Sequence, residues 1–418
     1  MWRRFAKYVA IVAGLVVALM LAVQLTLGGY ESEFEARLDA IRQAGEPLRF
    51  ADLASPPIPD EENAAILFAE AAAWLDGRDD WCPCMLDFES SIPRTEEEQR
   101  RCDAYLESLE PYYALLQRVP TRPGWSVPHA GGDGPSSGPQ ASWIGSAAEY
   151  LRHRVELDPH VEGRTERAAE AAILLLDLCD RWQIPMSIGY LIDLNIRSSA
   201  GWMLRGIQAR PGFDARLYRR LMDARLAAAE PTVGPPARIL REERLDGLST
   251  VRRWLAGEKV DFHSKKWNRR LRHTWIGRPF VYRDAVRYLD VIDAAIPLCD
   301  KTPEESVGIV AELKGKISRT AVLTRHMQEF LPRMFAWHTR TAASIRLTRV
   351  VMALLEYRQQ HGAWPETLQA LGALPLDPYT GQPFVYERRG AGARIHAARL
   401  GADWEALVDE DLAWSWEE

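Results

Sequence analysis

The sequence predicts a mainly α protein with an N-terminal transmembrane helix, an irregular helical bundle or array, and a small C-terminal α+β module with a β-hairpin. Three observations predict it. An uncharged apolar run stands near the N-terminus. Apolar residues recur at helical spacing through most of the chain. Only the last stretch changes style, to short apolar runs separated by turn residues.

The run from Tyr8 to Leu27 reads YVAIVAGLVVALMLAVQLTL and holds no charge. At 1.5 Å per residue it is about 30 Å long, which matches the hydrocarbon core of a bilayer. Arg3, Arg4 and Lys7 precede it, and Glu31, Glu33 and Glu35 follow it. The positive-inside rule places the N-terminus in the cytoplasm and the bulk outside it, as in a single-pass protein of the inner membrane. A cleaved signal peptide has a shorter apolar region and ends in a small-x-small site. Leu25-Thr26-Leu27-Gly28-Gly29 offers no clear site of that kind, which favours an uncleaved anchor. The lipid bilayer is therefore the first expected partner. Residues 1–29 read as stub and anchor, 30–341 as an extracytoplasmic helical domain and 342–418 as the C-terminal module.

In the body, Glu31 to Ala44 reads as a helix with Phe34, Leu38 and Ile41 on one face, ended by Gly45-Glu46-Pro47. Prolines 56, 57 and 59 forbid a regular helix in the link that follows. Helix resumes over Asn63 to Leu75, with Ile66, Leu67, Ala71, Trp74 and Leu75 as its apolar stripe. Thr95-Glu96-Glu97-Glu98 is a capping-box signature. Pro111 breaks or kinks the helix it opens. The stretch near 120–146 is rich in Gly, Pro and Ser and reads as a long loop. From about 147 to 361 the chain reads as consecutive helices with short turns, without a fixed repeat period.

Composition excludes some classes. Net charge is -6, so nothing invites nucleic acid, which wants a basic face. The one basic cluster, Lys265, Lys266, Arg269, Arg270, Arg272 and His273 with Trp267 and Trp275, reads as a solvated or partner-binding face, with outer-leaflet lipid as the alternative. Five cysteines leave one unpaired whatever the pairing. An oxidising compartment permits a bridge from Cys102 to Cys82 or Cys84. Cys179 and Cys299, on apolar helical stretches, read as small buried hydrophobes.

No phosphate-cradling, dinucleotide-binding or nucleophile-elbow motif is present, and no histidine pair has zinc-protease spacing. His326, Glu329 and His338 make at most half a metal site. Asp193 and Arg197 stand one helical turn apart and are expected to pair, as are Arg238 and Glu242. Glu243 and Arg244 read as a structural polar pair within the bundle. Their catalytic alternative is an envelope hydrolase that uses Glu243 with a second acid–base group.

Arg349 to Gly401 carries RVVMALLEYRQQHGAWPETLQAL followed by DPYTGQPFVY. In this stretch the chain resembles the globular part of a type II secretion pseudopilin. The resemblance implies a long helix ended at His361-Gly362, a short helix Glu366 to Leu371, a turn at Asp377 to Gly381 and two strands. It also implies an acidic segment that holds calcium. The corresponding residues are Asp403, Asp409, Glu410 and Asp411, with a solvated acidic tail as the alternative. The chain lacks the prepilin cleavage site and the acidic-glycine ending of that family. Through GEPLRFADLASPPIPDEENAA, the Glu243-Arg244 pair in ARILREERLDGL, and HGAWPETLQAL, the whole chain is similar to bacterial membrane-anchored helical envelope proteins. That resemblance implies location and architecture, and the helical middle with the pseudopilin-like tail suggests an interaction or scaffold protein with envelope partners, linked to secretion. It implies no activity and no cofactor beyond calcium.

Overall fold

The helix that ends at His361 runs back to Val322, so one 40-residue helix passes straight through position 341. Around it the chain builds a mainly helical structure with one small antiparallel sheet. The computed structural model describes residues 28–53, 58–76, 95–126, 140–158, 160–182, 187–231, 237–258, 277–302, 305, 322–398 and 412–416, with 7–8, 10–15, 17–18 and 21–22 near the N-terminus.

Helix α1 is Gly29–Gln43 and buries Phe34, Leu38 and Ile41, as expected. Gly45 stops it in the left-handed conformation, φ +70°, where a Cβ would be strained. Helix α2 is Ala64–Asp76. Its buried face is Ala64, Leu67, Phe68, Ala71 and Ala72. Ile66, assigned to that face from sequence, is 38% exposed, because the true stripe follows the i, i+3, i+4 spacing from Ala64. Helix α3, Glu96–Ser108, opens on the complete capping box: Thr95 Oγ1 accepts from Glu98 N and Glu98 accepts from Thr95 N, both at 3.1 Å. The helix breaks just before Pro111, as expected, with Leu109 as its C-cap. Pro111 sits in the first turn of the next one, α4, Glu110–Arg118, where its missing N–H costs nothing.

The expected loop over 120–146 is shorter than the sequence suggested. Gly124 bridges back to Asn63, and helix α5 already begins at Gln140, in Gln140–Glu156. Helices α6, Arg164–Arg181, α7, Ser187–Ile207, and α8, Ala215–Ala229, complete the first half of the body. Trp202 on α7 is 45% exposed. Helices α9, Ala237–Leu255, and α10, Arg278–Ala295, precede the long helix α11, Val322–His361.

Among the described residues the tail holds three strands where two were expected. Strands β1, Val385–Arg389, and β2, Gly392–His396, form the hairpin, with Arg389 paired to Gly392 across a two-residue turn. Strand β3, Ala413–Trp416, adds antiparallel to β2, with Ile395 opposite Trp414. The short helix expected over 366–371 is a single 3-10 turn, Leu368–Leu371. Asp377 is fully buried and anchors the preceding turn. It accepts from Tyr379 N at 2.9 Å and from Ala398 N at 2.7 Å.

Two apolar cores result. The first gathers helices α2 to α8, the C-terminal half of α11 and the sheet. The second gathers α1, α9, α10 and the N-terminal half of α11. The long helix is the shared spine. Its side chains belong to the second core up to Ala336 and to the first from Ile345 onward.

Tyr8 to Leu27 is described only in part. Among the described residues no helix is long and apolar enough to cross a membrane. Those described within the run are helical, and their apolar side chains are exposed: Ile11 58%, Val12 59%, Leu15 66% and Leu21 59%.

Candidate functional site

Between its two cores the spine turns polar. His338, Thr339, Arg340 and Thr341 are 2%, 0%, 4% and 0% exposed. Buried polar groups need partners, and the neighbouring helix α7 provides several. Thr341 Oγ1 donates to Leu194 O at 3.2 Å, and Tyr190 hydrogen-bonds through its hydroxyl to His338 Nδ1. The Tyr190 and His338 rings stack with centroids 6.2 Å apart. Burial, then the Asp193 charge, pushes the Tyr190 hydroxyl well above its ordinary value, so it titrates far outside the physiological range.

Asp193 and Arg197 pair as their spacing predicted, at 2.8 Å. Arg197 also reaches Asp180 at 2.9 Å. Arg225 takes the other oxygen of Asp180 at 2.7 Å and Asp177 at 2.9 Å. This chain of charges ties α6, α7 and α8 together. Burial raises the Asp193 carboxyl, and Arg197 opposes that shift. Burial, then Asp193, pushes the Cys179 thiol well up, and burial, then Asp300, pushes Cys299 up to about 12. Both are free and buried. Thiols held protonated are poor nucleophiles, so both behave as core residues.

Further along the same pair of helices the seam opens into a cavity of about 150 Å³ between α7, α11 and β3. Arg205 and Arg340 line it with the hydroxyls of Ser198, Ser344 and Thr348 and the indole of Trp202. The Arg205 guanidinium lies between two indoles, 4.9 Å from Trp202 and 4.4 Å from Trp414, and donates to Ala413 O. Arg340 lies 4.9 Å from the Trp337 ring. A second, larger cavity of about 430 Å³ lies beside α3 and α6. Both arginines that line it are paired, Arg154 with Glu110 at 2.6 Å and Arg167 with Asp158 at 2.7 Å, and Asp103 and Glu107 line it as well.

The Glu243-Arg244 pair sits elsewhere, on α9. Arg244 is 2% exposed and meets Glu46 and Asp293, the latter at 3.5 Å. Arg238 pairs with the fully buried Glu242 at 2.6 Å, as expected. Glu243 is 3% exposed, its backbone oxygen accepts from the Tyr288 hydroxyl, and it lines neither cavity. Asp403, Asp409, Glu410 and Asp411 lie outside the described residues, as do Cys82, Cys84, the basic cluster from Lys265 to His273 and the side chains of His326 and Glu329. Among the described residues no group of three or more His, Cys, Asp or Glu could hold a metal ion. Cys102 is disulfide-bonded, and with Cys179 and Cys299 free its partner is one of the other two.

Sequence reasoning missed the Arg205–Arg340 cavity. The signal was there. Arg340, Ser344 and Thr348 repeat every four residues on a helix whose neighbours are apolar, and Ser198, Gly201 and Arg205 keep helical spacing on α7. No protein-family model, curated protein or solved structure matches the chain.

Proposed function

We propose that this chain is a membrane-anchored, extracytoplasmic binding and scaffold protein of the cell envelope. One observation carries the reading: the N-terminal helix presents Ile11, Val12, Leu15, Val17 and Leu21 outward, each more than half exposed. A helix this apolar on its outer side is stable only in an apolar surrounding. The uncharged run from Tyr8 to Leu27 has the length of a bilayer span. The disulfide at Cys102 fits an oxidising compartment outside the cytoplasm. The charges flanking the run give the same orientation. The sheet packed on the C-terminal half of the long helix supports a pseudopilin-like reading of the tail, and with it a secretion-linked role.

The hydrolase reading needs Glu243 in a cleft with a second acid–base group; Glu243 lines neither of the two cavities formed by described residues, and binding is the reading preferred.

The test is a topology assay on spheroplasts carrying the full chain with a tag at each end. The proposal expects the protein in the carbonate-resistant membrane fraction, the C-terminal tag open to added protease and the N-terminal tag protected. Extraction by carbonate, or a protected C-terminal tag, overturns it. A pull-down from solubilised membranes then tests the scaffold role, which predicts specific recovery of envelope components.

A further inference from the structure

We infer that the first turn of α10 is a second foot of the body on the bilayer, seated in the zwitterionic headgroup layer beside the anchor. It rests on the membrane anchor already proposed and adds to it a surface of the folded domain. Phe280 is 42% exposed, Arg278 is exposed, and the half-buried Arg283 holds its guanidinium 5.3 Å from the Phe280 ring. A single exposed aromatic is ordinary on any protein surface. What matters is where this one stands.

Helices α1 and α10 lie side by side and run in the same direction. Near their starts the Tyr282 hydroxyl donates to Glu31 Oε1 at 2.9 Å, and the Tyr282 and Phe34 rings lie 5.7 Å apart. Further along both, Arg37 meets Asp290 at 2.6 Å. The contacts advance together, so the two N-termini share one end. At 1.5 Å per residue, Phe280 stands about 3 Å before Tyr282, level with the first turn of α1. That turn begins at Gly29, two residues after the uncharged run ends at Leu27. Two residues of chain span at most about 7 Å, and packed helices lie roughly 8–10 Å apart. A run that ends at the bilayer surface therefore leaves Phe280 beside it.

The chemistry of this end suits a headgroup layer. Aromatic rings and arginines gather where acyl chains meet headgroups. The ring takes the apolar side, and the guanidinium reaches back to phosphate on a long apolar stem. Tyr30, half-buried in the first turn of α1, adds a second ring at the same level. Carboxylates stand here too. Glu31 accepts from the Tyr282 hydroxyl, and the exposed Glu33 and Glu35 lie about 6 and 9 Å beyond Gly29 along α1. Guanidiniums and carboxylates together fit a layer of phosphates and ammonium groups better than a purely anionic one. Two points of contact fix the orientation of the body, where the anchor alone would leave it free to swivel.

The experiment places spin labels on the full chain in nanodiscs of phosphatidylethanolamine and phosphatidylcholine, with the unsubstituted chain labelled in parallel as background. Collision with oxygen, compared with collision with an aqueous nickel chelate, reads the depth of each label. Phe280→Cys is expected about 5 Å into the boundary of headgroups and acyl chains. Leu221→Cys, on α8, is the reference and is expected in water. Its neighbour Arg219 meets Glu356 at 2.8 Å, whereas Asp284 of α10 accepts from Leu323 N at 3.1 Å, about 50 Å away along α11. Leu15→Cys tests the anchor by itself and is expected in the acyl core. Arg278→Cys is expected at headgroup depth, and adding Phe280→Asp is expected to shift its label outward into water. Circular dichroism confirms that each variant is folded, and Phe280→Cys carries the test if Phe280→Asp is not. An aqueous label at Phe280→Cys with a buried one at Leu15→Cys overturns the inference and leaves the anchor standing. So does an Arg278→Cys depth that Phe280→Asp leaves unchanged. An aqueous label at Leu15→Cys removes the anchor, and the foot with it.

Discussion

Glu46 and Arg244 are 198 residues apart in sequence and form an ion pair in which the arginine is almost fully buried. Arg241 adds a second guanidinium to Glu46 at 3.5 Å, Asp293 a second carboxylate to Arg244, and Arg252 donates to Leu48 O at 3.0 Å. The segment after α1 is thus clamped onto α9. Both partners come from short charged stretches, GEPLRF and LREERL. The contact gives those stretches a structural reason to be what they are.

Removing Arg244 costs Glu46 and Asp293 a guanidinium, but both carboxylates are partly exposed and Arg241 still reaches Glu46, so the loss is screened to roughly 1–2 kcal/mol. Arg244→Met is therefore expected to lower unfolding free energy by about that amount, read by urea denaturation of the full chain. Adding Glu46→Gln to Arg244→Met should recover part of the loss, because the stranded carboxylate is then neutral. Acid should weaken the clamp as well. Burial alone would raise the Glu46 carboxyl, but the Arg244 hydrogen bond and charge, then Arg241, hold it below its ordinary 4.5. Its contribution is present above that pH and is lost as pH falls through the lowered folded value. A purely additive double mutant would show that the pair is not coupled.

Gly247 on α9 is a close-approach glycine. A Cβ there would overlap the Tyr288 ring and lie 2.6 Å from its hydroxyl oxygen. Tyr288 is 3% exposed, and its hydroxyl is bonded to Glu243 O, so the ring has nowhere to retreat. Overpacking of this kind costs roughly 1–3 kcal/mol. Gly247→Ala should destabilise by that much, although alanine is the better helix former. Unchanged or raised stability would mean the two helices have slack.

His153 on α5 is 6% exposed, and neither ring nitrogen has a hydrogen-bond partner among the described residues. The nearest carboxylate oxygen, Glu149 Oε1, is 4.0 Å away. Burial, then Arg152, pulls its pKa from 6.5 to about 4. A folded value below the unfolded one gives stability that is fully present above pH 6.5 and lost as pH falls towards 4. The scale is on the order of 3 kcal/mol. Asp193, Asp293 and Asp377 have the opposite sign, because burial raises each of them. The comparison must therefore be differential. His153→Leu should gain stability relative to the parent steadily as pH falls from 6.5 to about 4.5. Parallel pH curves for the two chains would exclude the assignment.

What was legible in the sequence was local. The capping box at Thr95, the stop at Gly45, the Asp193–Arg197 step and the apolar face of α1 each depend on residues within a few positions, where helical geometry alone decides. Contacts across the chain left no such trace. Nothing local announces that Arg244 meets Glu46, and the helical spacing around Arg205 and around Arg340 marks two polar faces without saying that they meet. The third strand was missed because Ala413–Trp416 is four residues long and its pairing with β2 is its only support. The division at 341 follows the C-terminal module, whereas the helix that opens that module runs back to Val322, through the buried polar residues His338 to Thr341. Those four residues are the belt where one core gives way to the other.

Cys102 tests the compartment and the fold together. It is fully buried in the first core and disulfide-bonded, while Cys179 and Cys299 are free. Five cysteines less the two of one bridge leave three thiols. Labelling of the denatured, unreduced chain should therefore modify three, and the reduced chain five. A loop of roughly twenty residues closed by a bridge contributes about 3 kcal/mol. Reduction should lower Tm accordingly, and Cys102→Ala should cost at least as much because it also leaves a hole where a buried sulfur stood. Of Cys82→Ser and Cys84→Ser, one should reproduce the effect of reduction and the other should change little, which names the partner. Five thiols in the unreduced chain from its native host would remove the bridge, and with it the oxidising compartment on which the extracytoplasmic reading leans.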